Sequence, residues 1–143
     1  MNLDEIIQNS ARQLISDLAG RNWIAREREI VNLFTFGYLL QHCKTGGILS
    51  DPTQIGIEVA VPQHLKSQRS NPDVCKDLVI WPKPKMTCWD ANRIPANYPL
   101  SVLEWKVMHF KDSKNQKKKL SEFHSDIEWL RNHSKLNITR KIL

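Results

Sequence analysis

Leu100-Ser-Val-Leu-Glu-Trp-Lys-Val-Met-His109 is the stretch on which the fold turns. Its apolar residues, behind Pro99 and ahead of a lysine-rich run, predict a β-strand. On a strand, Glu104 and Lys106 share one face, and Leu103, Trp105 and Val107 take the other. Opposite charges in so apolar a strand are costly to bury unless they pair or hold a ligand. Upstream, Val74-Cys-Lys-Asp-Leu-Val-Ile-Trp81 predicts a second strand, with Asp77 beside an apolar run. An acid on one strand and a Glu-x-Lys on its neighbour can bind a divalent cation and activate water.

Working outward, Asn2 or Asp4 caps a first helix running to about Ala19, with Leu3, Ile7, Ala11, Leu14 and Leu18 on one stripe and Gly20 as its stop. A second helix is expected from about Asn22 to His42. Its half from Ile30 to Leu40 is apolar almost all round and belongs in the core. Gln54 to Val61 alternates and is β-branched, predicting a strand closed by Pro62. Pro82 and Pro84 stop the Asp77 strand. Lys83 to Pro99 reads as a long connection without a period. A last helix, about Gln116 to Asn132, carries Leu120, Phe123, Ile127 and Leu130 on one stripe. Asn137 to Leu143 reads as a short edge strand or a frayed end. The order is α-α-β-β-β-α with room for a short final strand. This is an α/β domain with a mixed sheet and flanking helices.

The 143 residues suit a single domain spanning 1–143. The chain carries 21 Lys and Arg against 15 Asp and Glu, a net +6, which suits a polyanionic partner. Three separated cysteines, Cys43, Cys75 and Cys88, argue against a disulfide framework and a zinc cluster. No apolar run is long enough to span a bilayer, and the acidic start does not resemble a signal peptide. A cytoplasmic protein is expected.

The chemistry that fits these residues is phosphodiester hydrolysis. Mg²⁺, or Mn²⁺ in its place, prefers oxygen ligands and keeps several waters, so Asp77 and Glu104 suffice as protein carboxylates. The Trp105 backbone carbonyl is a candidate third ligand. Lys106 would orient the water or stabilise charge building on phosphorus.

Asp77 followed by Glu104-Trp-Lys106 resembles the signature of the PD-(D/E)xK nuclease superfamily, over roughly Arg26 to Leu130. The resemblance implies a restriction-endonuclease-like fold and a Mg²⁺-dependent nuclease, with DNA the favoured substrate. It also implies an acid from an early helix, with Glu29 the first choice and Glu27 the second. Periodicity does not separate them, since each begins an apolar stripe. The family's proline before the Asp is Lys76 here, while Pro72-Asp73 lies ahead of the apolar strand. Asp112-Ser-Lys114 is another acid-x-Lys match, but it has no apolar flanks.

Lys111, Lys114, Lys117, Lys118 and Lys119, with Arg26 and Arg28, are candidates for tracking the nucleic-acid backbone. Trp89 and Tyr98, in the proline-rich connection, are candidates for stacking bases, whereas Trp105 is expected in the core. Specificity would have to come from loops, a homodimer or a partner protein. Other readings stay open beside the nuclease. Glu104 and Lys106 can be a solvated pair on an edge strand, and Glu58 an outward-facing residue. The whole can be a nucleic-acid-binding module without catalysis, or a subunit of a larger assembly.

Overall fold

The computed structural model describes residues 1–21, 23–62, 73–107, 113–134 and 139–140. Helix α1 spans Leu3–Leu18 and opens with a reciprocal cap. Asn2 Oδ1 accepts from the Glu5 amide at 2.9 Å, and the Glu5 carboxylate accepts from the Asn2 amide at 2.8 Å. Leu3, Ile6, Ile7, Ala11 and Leu14 are buried along its inner stripe. Gly20 turns the chain out of the helix with φ +75°, a conformation that favours glycine.

The expected second helix is shorter and less regular than its apolar sequence implies. Helix α2 covers only Glu27–Leu33. A π-helical turn at Phe34–Tyr38 and a 3₁₀ turn at Leu39–His42 continue it. Trp23 and Ile24, expected within the helix, are exposed and precede it, while the expected start at Asn22 lies outside the described residues. Two features act on the backbone here. The Glu29 carboxylate accepts from the Arg26 amide at 2.6 Å, capping the helix after Arg26. Thr35 Oγ1 donates to the Val31 carbonyl at 2.8 Å, competing with the regular ladder where its spacing widens. Phe34 and Leu39 are fully buried, but Phe36 between them is exposed, so the segment enters the core on one side instead of all round.

Among the described residues the sheet has four strands in the order β1 (Ile55–Pro62), β2 (Asp73–Ile80), β3 (Ser101–Leu103) and β4 (Thr139–Arg140). β1, β2 and β3 pair antiparallel, and β4 lies parallel to β3. Helix α3, Ser113–Ser134, connects the last two. Among the described residues no helix is long and apolar enough to cross a membrane.

β2 is covered on both faces. Leu78 and Ile80 pack with Leu103, Trp105 and the residues of α1 and α2. Val79 and Trp81 pack on the other side with Val61 and Cys88. Burial pushes the Cys88 thiol up to about 11.

Gln54 ties the loop before β1 to the end of β2. Its Oε1 accepts from the Ser50 amide at 2.7 Å, the Ser50 hydroxyl at 2.8 Å and the Asp51 amide at 3.1 Å. Its Nε2 donates to the carbonyls of Ile48 and Trp81, each at 3.1 Å. Expected as the first residue of a strand, Gln54 is instead a buried polar hub that ends a 3₁₀ turn, Pro52–Gln54. Gln54→Ala is expected to lower the unfolding free energy by about 2–4 kcal/mol, because the buried Trp81 carbonyl and the part-buried groups of Ile48, Ser50 and Asp51 lose their partner together. Urea denaturation checks this, and a loss below about 1 kcal/mol would contradict the assignment.

Candidate active site

The site is built where β3 stops. The sequence predicts a strand through His109, but the ladder ends at Leu103; Met108 and His109 lie outside the described residues. The register pairs Leu78 with Leu103, so the next step would set Asp77 opposite Glu104. Instead, Asp77 Oδ2 accepts a hydrogen bond from the Trp105 amide at 2.7 Å. Among the described residues no other hydrogen bond engages this carboxylate. A side chain takes the donor that a continuing strand would use, and the backbone of Glu104 to Val107 runs on without the sheet. Glu104 and Lys106 therefore do not share a strand face, because there is no strand at that point. Their partners separate them.

Glu104 meets Lys76, with Lys76 Nζ 2.5 Å from Glu104 Oε1. Lys76 is 2% exposed and Glu104 7%, so both charges are out of water. Strand alternation puts Lys76 with Leu78 and Ile80, on the face of β2 that meets the helices. Lys106 meets Glu27 instead, with Nζ 3.4 Å from Glu27 Oε1. The Val107 amide donates to Glu27 Oε2 at 3.3 Å, so one helix carboxylate holds both the lysine and the backbone after it. Trp105 is buried, as expected, with its ring 4.9 Å from Phe34 and tilted by 57°.

Of the two helix acids, Glu27 reaches this region, and the Glu29 carboxylate is used in capping α2. Glu58 also approaches from β1, between the pairs Ile57–Leu78 and Val59–Lys76 and so beside Asp77. Its φ of +52° is a left-handed conformation rare for a residue with a Cβ. A Cβ placed on Gly56 would collide with Val59 Cγ2, so this kinked stretch of strand needs the glycine. The Glu58 carboxylate holds Arg28 through both oxygens. The hydrogen bond to Arg28 holds its carboxyl below the usual range. Partial burial first, then the charges of Glu58, Asp77 and Glu104, push the neighbouring Cys75 thiol up. Three acids thus act on one neighbourhood.

The other predicted residues lie apart from this centre or are engaged differently. Arg26 is exposed at the start of α2, and Arg28 is paired with Glu58. Lys114, Lys117, Lys118 and Lys119 fall in the first turns of α3, where Lys117 and Lys118 are exposed. Lys111 lies outside the described residues. Tyr98 is exposed and Trp89 half-buried. The residue that reading the sequence missed is Lys76. The signal was available, since alternation in the apolar strand aims Lys76 at the core beside Leu78, where a lone ammonium would be expensive.

Chemically the donors are hard oxygens, which suit Mg²⁺ or Mn²⁺ rather than a soft metal. Among the described residues no group of three or more His, Cys, Asp or Glu side chains is gathered to hold a metal. Asp77 is bonded to the Trp105 amide and Glu104 is paired with Lys76.

The buried pair yields a stability test. Lys76→Met or Glu104→Leu alone is expected to cost about 3–5 kcal/mol, because each strands a buried charge. The double variant is expected to recover most of that loss in urea denaturation. A double variant no more stable than the singles would contradict the pairing. No protein-family model, curated protein or solved structure matches this chain, so its functional reading rests on the residues themselves.

Proposed function

We propose that the protein is a Mg²⁺-dependent nuclease hydrolysing phosphodiester bonds, with DNA the favoured substrate, on a restriction-endonuclease-like fold. The observation that carries this reading is the hydrogen bond from the Trp105 amide to Asp77 Oδ2, 2.7 Å long. It fixes an isolated acid of β2 against the Glu104-x-Lys106 segment, as the shared chemistry requires. Element order supports the same reading, with a helix, three antiparallel strands, a helix and a short parallel strand.

In this reading Asp77 and Glu104 hold the cation, with the Trp105 carbonyl as a further ligand. When bound, the cation supplies charge neutralisation at the phosphate and a water of lowered pKa. Lys106 stabilises the charge that develops on the phosphoryl oxygens. Glu27 keeps its ammonium from swinging into solvent, and its second oxygen fixes the adjoining backbone. The exposed Lys117 and Lys118 at the start of α3 offer positive charge to the nucleic-acid backbone.

One observation favours a second reading. Lys76 already neutralises Glu104, so the fold needs no cation there to be satisfied. A nucleic-acid-binding module without catalysis would keep such a pair. Cleavage of plasmid DNA in Mg²⁺ and in EDTA separates the two. The nuclease reading expects metal-dependent cutting that falls by roughly 10²–10³-fold in folded Asp77→Asn and Lys106→Ala. Salt-sensitive DNA binding without cutting would instead support the binding module. Cutting that survives both substitutions would remove the assignment of the site.

A further inference from the structure

We propose that the turn 90–94, in the connection between β2 and β3, is the element that grips duplex DNA, with Arg93 and Ile94 entering the minor groove. This rests on the reading of DNA as the substrate, and it adds where the duplex is held.

Four observations carry it. First, the connection is folded. A bridge between Trp89 and Pro95 closes a hairpin. Its base is tied where the Cys88 carbonyl accepts from the Ala96 amide at 2.8 Å and the Asn97 amide at 3.2 Å. Beyond the bridge, the Arg93 amide donates to the Asp90 carbonyl at 3.0 Å, and the Asp90 amide to the Ile94 carbonyl at 2.9 Å. The Asp90 carboxylate braces the turn, accepting from the amides of Asn92 at 2.8 Å and Ile94 at 2.9 Å. Second, Arg93 stands at the left-handed position of that turn, with φ +60°. Three-residue hairpin loops favour glycine there, because a residue with a Cβ is strained. A guanidinium kept in a strained conformation at a loop tip points to a use for its side chain. Third, every residue from Asp90 to Ala96 is exposed, and Ile94 is 57% exposed. One isoleucine is too small a patch to dock a protein. An arginine beside an apolar side chain suits the minor groove, which attracts the cation where it is narrow and admits the apolar group at a base step. Lys83 and Lys85 are exposed in the same connection, and Asp90, its one acid, is turned onto backbone amides, so the segment presents net positive charge to phosphates. Fourth, Cys88, Met86 and Trp89 pack against Val61, Val79 and Trp81. Strand alternation puts Asp77 on that face of β2 with Val79. The hairpin is thus seated on the sheet face that carries Asp77.

Fluorescence anisotropy of a short, labelled A·T-rich duplex, in EDTA so that nothing is cut, tests this across a salt series. Full-chain wild type, Arg93→Gly and Ile94→Ser are compared, each checked for folding by circular dichroism. Arg93→Gly is expected to weaken binding by roughly tenfold and to lower the salt dependence by about one counterion. Ile94→Ser is expected to weaken it severalfold with the salt dependence unchanged. Netropsin, which fills the minor groove, is expected to bring wild-type binding down to the level of Arg93→Gly. Equal binding by wild type and either variant, binding untouched by netropsin, or no binding of the duplex by wild type at low salt would each overturn the proposal.

Thermal unfolding separates this from a structural role. Glycine relieves the strain at this position, so Arg93→Gly is expected to keep or raise the Tm while it loses DNA. A fall in Tm together with the loss of binding would assign Arg93 to the fold and overturn the proposal. Plasmid cleavage in Mg²⁺ stays a separate readout. A protein that cuts DNA but binds it equally well as Arg93→Gly keeps the nuclease reading and loses this one. A protein that loses DNA as Arg93→Gly yet never cuts does the reverse.

Discussion

The hydrogen bond from the Trp105 amide to the Asp77 carboxylate governs the centre of this molecule. It takes the donor that a fifth residue of β3 would have used, and Glu104 to Val107 run on outside the sheet. The contacts of Glu104 and Lys106 are made from that segment. Glu104 reaches Lys76 and Lys106 reaches Glu27, although a regular strand would have set both on one face. Asp77 therefore does more than supply a carboxylate, because it also determines where its neighbours point.

The rest of the fold makes that arrangement affordable. At Leu78 to Ile80, β2 is covered by apolar packing on both faces, with α1, α2 and Trp105 on one side and Val61, Trp81 and Cys88 on the other. In such a strand Lys76 has no water to retreat to, so Glu104 beside it is a requirement as much as a function. The same low dielectric that makes the pair necessary makes each partner sensitive to any new charge. Such a pair contributes little net stability over apolar residues of the same size, but removing one partner leaves the other charge buried and uncompensated.

Much of this was legible in the chain. Asn2 or Asp4 announces the first helix, alternation gives β1, an apolar run closed by prolines gives β2, and the spacing of apolar residues gives α3. The order of elements follows from these, and so does the pairing of an acid-bearing strand with the Glu104 segment. What could not be read is where a side chain replaces the backbone as a hydrogen-bond partner. Periodicity carried the strand on to His109 because nothing in Leu103 to Val107 shows that Asp77 will take the Trp105 amide. It carried the second helix from Asn22 to His42 because apolar content does not register Glu29 closing the helix end or Thr35 bonding back to Val31. Glu27 and Glu29 looked equivalent for the same reason. Only the cap uses one and leaves the other facing Lys106. Lys76 was different, since the pattern already placed it inward and its partner could have been sought.

The proposed nuclease reading stands on Asp77 and Glu104 holding one cation. A crystal soaked in Mn²⁺ and measured at the manganese absorption edge tests that directly. The proposal expects an anomalous peak ligated by the Asp77 and Glu104 carboxylates. A map without a peak at these carboxylates would contradict it.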